Sequence, residues 1–307
     1  MQPDVRFIAL NDLPKIDSPP AGYVVIGAGK TGIDACLWLL EHGVDPDDIC
    51  WIVSRDAWLV DRQNTQPTEE FFSSCMGNIA NQMEAIVAAE SIPDLFARLE
   101  NGGVLVRIDP TVQPSMFHAA TVSQAELKEL RRIRNVVRMG RVERLERKQI
   151  VLRDGAIPTT PNHLHVDCSA RAISDHEPVP VFDGNVITPQ TVRPFQPVFS
   201  ASFIAHIEAV GEDLDEQAQN ELCTVVPLPN HDTDWIRMQA VSIFNQYRWS
   251  LQPDLKQWLS TNRLDGFSHL IENIADDDHE KLAIMQRIQS NVKSAAFKLQ
   301  QFAAELN

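Results

Sequence analysis

The chain has 307 residues, 44% of them hydrophobic and 22% charged, enough apolar material for two domains and too much for wholesale disorder. Its 42 acidic against 27 basic side chains, net −15, argue against nucleic acid as the main partner, and the lack of any uncharged apolar window near 18 residues argues against a membrane span. Cys36, Cys50, Cys75, Cys168 and Cys223 include no CxxC pair, and Met1-Gln2-Pro3-Asp4 has no leader-like pattern, so a cytoplasmic protein without disulfides or a metal site is expected.

Residues 1–20 read as an arm and linker, with Val5–Leu10 as one short strand and Pro14, Pro19 and Pro20 keeping the chain extended. Tyr23-Val24-Val25-Ile26 is a β-branched and aromatic run suited to a strand buried on both faces. It enters Gly27-Ala28-Gly29-Lys30-Thr31-Gly32, and an apolar helix follows to about Glu41, stopped by Gly43. Ile49–Val53 is a second buried strand, completing a right-handed βαβ unit. Helical spacing then runs over 68–101, and Ser123-Gln124-Ala125-Glu126 forms a capping box that opens a helix to about Ile133. Val136–Ile157 alternates as an antiparallel meander with Asp154-Gly155 at a turn, and Leu164–Cys168 reads as a return strand. Five of the 19 prolines fall between Pro178 and Pro197, and the sequence beyond Val198 is mainly helical. In its last helix Met285, Ile288, Val292, Ala295, Leu299, Phe302 and Leu306 form a narrow apolar seam, suited to packing on the chain's own body or to a homodimer. The expected fold is α/β: a Rossmann-type parallel sheet over 21–172, with a helical insertion at about 62–135 and a β-meander, then a helical region over 173–307.

The glycine turn carries the most chemistry. Between a buried strand and an apolar helix, GxGxxG has separate physical uses: Gly27 for the tight turn, Gly29 for approach of a pyrophosphate, Gly32 for close helix packing. A phosphate there would face free amides and the positive end of the helix dipole. Gly29-Lys30-Thr31 echoes a P-loop, but the four residues that separate that motif's glycines are absent, so a P-loop is excluded. The second strand ends in Ser54-Arg55-Asp56. A hydroxyl and a guanidinium suit the 2′-phosphate of NADP, although Asp56 would accept from a ribose 2′-hydroxyl if the loop turned differently.

These residues, with Asp34 and Trp58, resemble the NADPH-binding half of flavin-containing monooxygenases and related flavoprotein oxidoreductases. The meander and the strand ending Cys168-Ser169-Ala170 are similar to the same family's, over roughly residues 20–172. The resemblance implies that Gly27, Ala28, Gly29, Lys30, Thr31 and Gly32 hold the pyrophosphate of NADP(H), and Ser54 and Arg55 its 2′-phosphate. Asp34 and Trp58 would be supporting positions; apart from the resemblance, the strand-end position of Cys168 and Ser169 suits them to lie near a flavin or nicotinamide ring. It also implies FAD as the hydride acceptor. The sequence departs from the family in three places: the 22 residues before the first buried strand cannot hold an FAD-binding half, the monooxygenase signature that joins a Phe-x-Gly to a His between the halves is absent, and Ala170 replaces a terminal glycine. The primary expectation is therefore the NADPH-binding component of a flavin-dependent oxidoreductase whose FAD-binding half is a partner domain or chain. A non-catalytic NADP-binding sensor or assembly module, and a self-contained NADP-dependent dehydrogenase, are the alternatives.

Three other clusters have simpler readings. His163, His165, Asp167 and Cys168 suggest a nucleophile or metal pair, or else a solvated strand end. Nine basic residues between Lys128 and Lys148 suit a solvated face, a dock for an acidic partner or a contribution to the cofactor's phosphates. His231-Asp232-Thr233-Asp234 offers three ligand types, but Thr233 or Asp232 is more simply a helix cap.

Overall fold

The computed structural model describes residues 5–170, 177–210 and 214–306. The chain forms two compact units, residues 1–59 with 107–174 and residues 60–106 with 175–307. Met1–Asp4 and the expected 172/173 boundary lie outside the described residues.

In the first unit, β1 (Arg6–Ala9) is followed by β2 (Gly22–Ile26), buried along its whole length, and by α1 (Lys30–Glu41). β3 (Ile49–Ile52) and β4 (Ala57–Asp61) come next. The chain leaves for α2 (Phe72–Ala88) and α3 (Ile92–Asn101), and returns with β5 (Met116–Val122), which pairs with β4. α4 (Gln124–Leu130) opens on the expected capping box: the Ser123 side chain accepts from the Glu126 amide, and the Glu126 carboxylate accepts from the Ser123 amide. Then come β6 (Val136–Val137), β7 (Val142–Leu145), β8 (Gln149–Leu152), β9 (Gly155–Pro158) and β10 (His163–Asp167).

The fold is α/β, built on a five-stranded parallel sheet in the order β1-β10-β2-β3-β6. Side chains alternate across it. Val24, Ile26 and Ile52 form one cluster with Leu145, Ile150 and Leu152, so the β7-β8-β9 meander covers that face. Trp51 points to the opposite face, where Gly32 of α1 lies against its indole nitrogen. Sandwiching between a helix and a meander explains why these strands are apolar on both sides.

Several expectations change in detail. Residues 10–15 are not an extended linker but a turn of 3-10 helix that buries Leu13. β1 is the edge strand of the parallel sheet rather than part of a free arm, because it pairs with β10. Val136–Val137 leaves the meander and joins the parallel sheet beside β3. The β8–β9 turn is Arg153-Asp154, with Leu152 opposite Gly155. The helical stretch at 68–101 is two helices, since the Ser91 hydroxyl caps a new start and Pro93 sits in its first turn. These helices group with the C-terminal residues rather than with the parallel sheet.

The second unit adds a ribbon of β11 (Phe182–Asp183) and β12 (Val186–Ile187), then α5 (Pro197–Val210), α6 (Glu216–Leu222), α7 (Asp234–Ser250), α8 (Pro253–Thr261), α9 (Ser268–Glu272) and α10 (His279–Glu305). Phe199, Phe203, Ile207, Trp249 and Leu255 make one core. Against it lies Arg193, its guanidinium 3.6 Å above the Phe199 ring and 2.7 Å from the Asp265 carboxylate. α10 packs on α2 and α7, and Arg287 of α10 binds Glu84 of α2 through two 2.7 Å contacts. The α10 seam proposed for a homodimer is thus covered by the chain's own helices: Ala295, Leu299 and Phe302 are buried. Among the described residues, no helix is long and apolar enough to cross a membrane. Leu299→Ala should cost about 2–5 kcal/mol, read as a lower midpoint in thermal or urea unfolding.

Candidate functional site

Because all five strands of the sheet run parallel, the residues that follow β2, β3, β6 and β10 emerge along one edge. Register makes this specific. Ile26 pairs with Ile52 and with Asp167, and Ile52 pairs with Val137. The glycine turn, Ser54-Arg55-Asp56, Arg138 and Cys168-Ser169 therefore meet at this edge.

The glycine positions divide by cause. Gly27 has φ +135°, and a methyl there would overlap the Cys168 carbonyl. A methyl on Gly32 would overlap the Gly27 carbonyl. Both positions are imposed by the protein's own packing. Gly29 is different: a methyl there would meet nothing within 4 Å, and its φ of −79° is open to any residue. Gly29 is also the N-cap of α1, with no side chain capping it and no acidic residue in the first turn. The amides of that turn have no acceptor within the helix, so the N-terminus presents donors and a positive dipole at an uncovered surface. Lys30 and Asp34 form an ion pair one turn along α1.

Three bonds fix the turn. The Gly27 amide donates to Ile52 O at 3.1 Å, the Cys168 amide to Ile26 O at 2.8 Å, and Trp51 Nε1 to Gly27 O at 2.8 Å. The role of Trp51 was not legible in the sequence, where it is one more apolar residue of a buried strand.

Ser54 and Arg55 lie just beyond β3, both partly exposed, with Arg55 Nη2 placed 3.3 Å from Met116 Sδ. Asp56 is held by Arg138, whose Nε and Nη2 reach its two oxygens at 2.9 and 3.1 Å. Arg138 also lies 3.1 Å from Asp109. Trp58 is buried in β4, with the Arg107 guanidinium 5.4 Å from its ring centre. Cys168 is buried beside Gly27, and burial, reinforced by Asp167 and Asp34, pushes its thiol up to about 12. It is a protonated thiol at neutral pH, a poor nucleophile. Ser169 is exposed, its amide and hydroxyl both bonded to Asp167 Oδ1 at 2.9 and 2.6 Å.

The remaining clusters have local explanations. His165 is buried, with Nδ1 3.0 Å from Arg6 O and Nε2 2.9 Å from the Thr159 hydroxyl. Burial lowers its pKa, against the opposing pull of the Arg6 carbonyl. In the basic run, Arg131 donates to Ile108 O and Arg107 O, Arg132 pairs with Glu129, and Arg144 with Glu146. Arg138 is the member of the run that reaches the sheet edge at Asp56. At His231–Asp234, neither Thr233 nor Asp232 is the side-chain cap of α7; Thr233 is the N-cap residue without a side-chain bond, and Asp234 instead accepts from the Asn230 and His231 amides. Among the described residues, no group of three or more His, Cys, Asp or Glu side chains is arranged to hold a metal.

The chain is 45% identical over 297 residues to uncharacterized proteins of Mycobacterium tuberculosis (strains H37Rv and CDC 1551) and of Mycobacterium bovis. The match covers 97% of this chain and 55% of each relative, so the chain spans about half the length of the curated relatives it matches. No family model and no solved structure matches it.

Two outcomes follow from this geometry. Gly27→Ala and Gly32→Ala should each cost about 1–3 kcal/mol or prevent folding, whereas Gly29→Ala should shift stability by less than about 1 kcal/mol in the same urea titration. For His165, the native state stays neutral while the unfolded chain takes up a proton below about pH 6.5. The unfolded state then binds more protons, so stability falls as pH drops below that value toward the lower native pKa. His165→Gln should flatten this part of the profile, and an unchanged slope would place the titrating group elsewhere.

Proposed function

We propose that this chain is the NADPH-binding part of a flavin-dependent oxidoreductase, in which hydride passes from NADPH to an FAD held by polypeptide outside these residues. The observation that carries the reading is Gly29, a small residue at an uncapped helix N-terminus with no neighbour inside the protein to require it. A pyrophosphate passing over that backbone supplies the missing reason. The parallel sheet, with α1 following β2 and the turn at its carboxyl edge, supports a Rossmann-type reading, in which a dinucleotide would lie across the strand ends. Ser54 and Arg55 at the end of β3 stand where the adenosine ribose of such a ligand falls, and their hydroxyl and guanidinium suit a 2′-phosphate.

NADPH supplies the hydride; the residues of this chain bind and orient it. The α1 amides neutralise the pyrophosphate, and the Gly27–Trp51 bond keeps their direction fixed. Ser169, exposed beside Gly27's neighbour Cys168, flanks the nicotinamide end. The mycobacterial relatives carry nearly as much chain again as the matched part, which is room for a second dinucleotide-binding half.

Titration of the purified protein with NADPH, followed by nicotinamide fluorescence, tests the reading. Arg55→Ala should weaken NADPH several-fold more than NADH; equal losses sink the 2′-phosphate assignment. Gly29→Val should abolish binding of both while leaving the unfolding midpoint nearly unchanged. Retained binding would remove the turn from the site.

A further inference from the structure

Asp56 follows Ser54 and Arg55 beyond the end of β3, a carboxylate of the kind that holds the 2′-hydroxyl of NAD, and yet it sits beside a site suited to a phosphate. The structure resolves that conflict with one side chain. Arg138, one residue past β6, faces both oxygens of Asp56 in a bidentate pair, Nε to Oδ2 at 2.9 Å and Nη2 to Oδ1 at 3.1 Å. Its Nη2 also lies 3.1 Å from Asp109 Oδ2. Asp109 is fixed in turn by the Thr111 amide at 3.0 Å and hydroxyl at 2.7 Å, both to Oδ1. The guanidinium is thus pinned between two carboxylates, and the Asp56 side chain is only 15% exposed. Asp56, Arg138 and Ala28 of the glycine turn line the same recess.

We propose that Arg138 is a specificity-determining residue that selects NADPH over NADH by clamping Asp56. This rests on the dinucleotide reading above and assigns the choice between the two cofactors within it. A ribose diol needs a carboxylate that can turn to meet it and keeps its full charge; here the fork fixes the orientation of both oxygens and offsets that charge, and displacing it strands a partly buried charge. Arg138 also offsets the Asp56 charge that would repel a 2′-phosphate arriving at Ser54 and Arg55, while Arg107 acts with it on the second carboxylate, Asp109. Arg138 acts through Asp56, so removing Asp56 should cancel the effect of removing Arg138.

The test measures NADPH and NADH dissociation constants for the purified full chain and for Arg138→Gln, Arg138→Lys, Asp56→Asn and the double variant Asp56→Asn/Arg138→Gln. Arg138→Gln should lower the preference for NADPH by about tenfold, a change of about 1.4 kcal/mol. Arg138→Lys, which keeps the charge but loses the fork, should lower it by about threefold and provides the readout if the glutamine variant does not fold. The double variant should regain the NADPH preference that Asp56→Asn retains. Equal weakening of both cofactors by Arg138→Gln, or a double variant that stays unselective, overturns the clamp while leaving the dinucleotide site standing. Wild-type protein that binds neither cofactor overturns both.

Discussion

The start of α1 depends on an approach of backbone to backbone that a single methyl would prevent. Gly32 packs on the Gly27 carbonyl, and Gly27 in turn packs on the Cys168 carbonyl. The same Gly27 carbonyl accepts the Trp51 indole proton, and the Gly27 amide donates to Ile52. One residue therefore ties β2, β3 and β10 together and sets the direction in which α1 begins. Everything at the carboxyl edge takes its position from that knot. The free amides of α1 point outward over Gly29, Ser54 and Arg55 emerge on one side, and Cys168 and Ser169 on the other.

Charge at this edge runs against the charge of the whole. The chain is net −15, but the first turn of α1 contains no acidic residue, and Asp56 is paired with Arg138. The other carboxylates near the turn, Asp34 and Asp167, are bonded to Lys30 and to Ser169, so an anion reaching the start of α1 would meet free helix amides. Of the basic run at 128–148, Arg138 reaches this edge, whereas Arg131, Arg132 and Arg144 are engaged with carbonyls or carboxylates nearby. Position in the sheet, rather than the number of cations, decides which of them matters.

The helical unit is organised by a different principle. α2, carried by the insertion, presents Phe72, Met76 and Ala80 to Ile284 of α10, and the Arg287–Glu84 pair fixes their register. An amphipathic helix buries its stripe against whichever partner the fold supplies. That is why the insertion belongs with the C-terminal helices although it lies within the sequence of the sheet unit, and why the seam of α10 is already covered.

Local patterns were sufficient for the β2–turn–α1–β3 unit, the Ser123 capping box and the return strand β10, because strand burial, glycine spacing and caps are properties of neighbouring residues. They were also sufficient to nominate Ser54, Arg55 and Cys168, each at the end of a strand. The pairing of β6 with β3, the break at Ser91, and the buried, neutral state of His165 required the folded chain. So did the Arg138–Asp56 contact, which joins residues 82 positions apart. Sequence alone left Asp56 undecided between a ribose acceptor and a bystander, because side-chain chemistry fixes what a carboxylate can bind but not what reaches it first. Parallel register supplies the contact, by ending β6 beside β3 and bringing the Arg138 guanidinium within hydrogen-bond distance of both Asp56 oxygens.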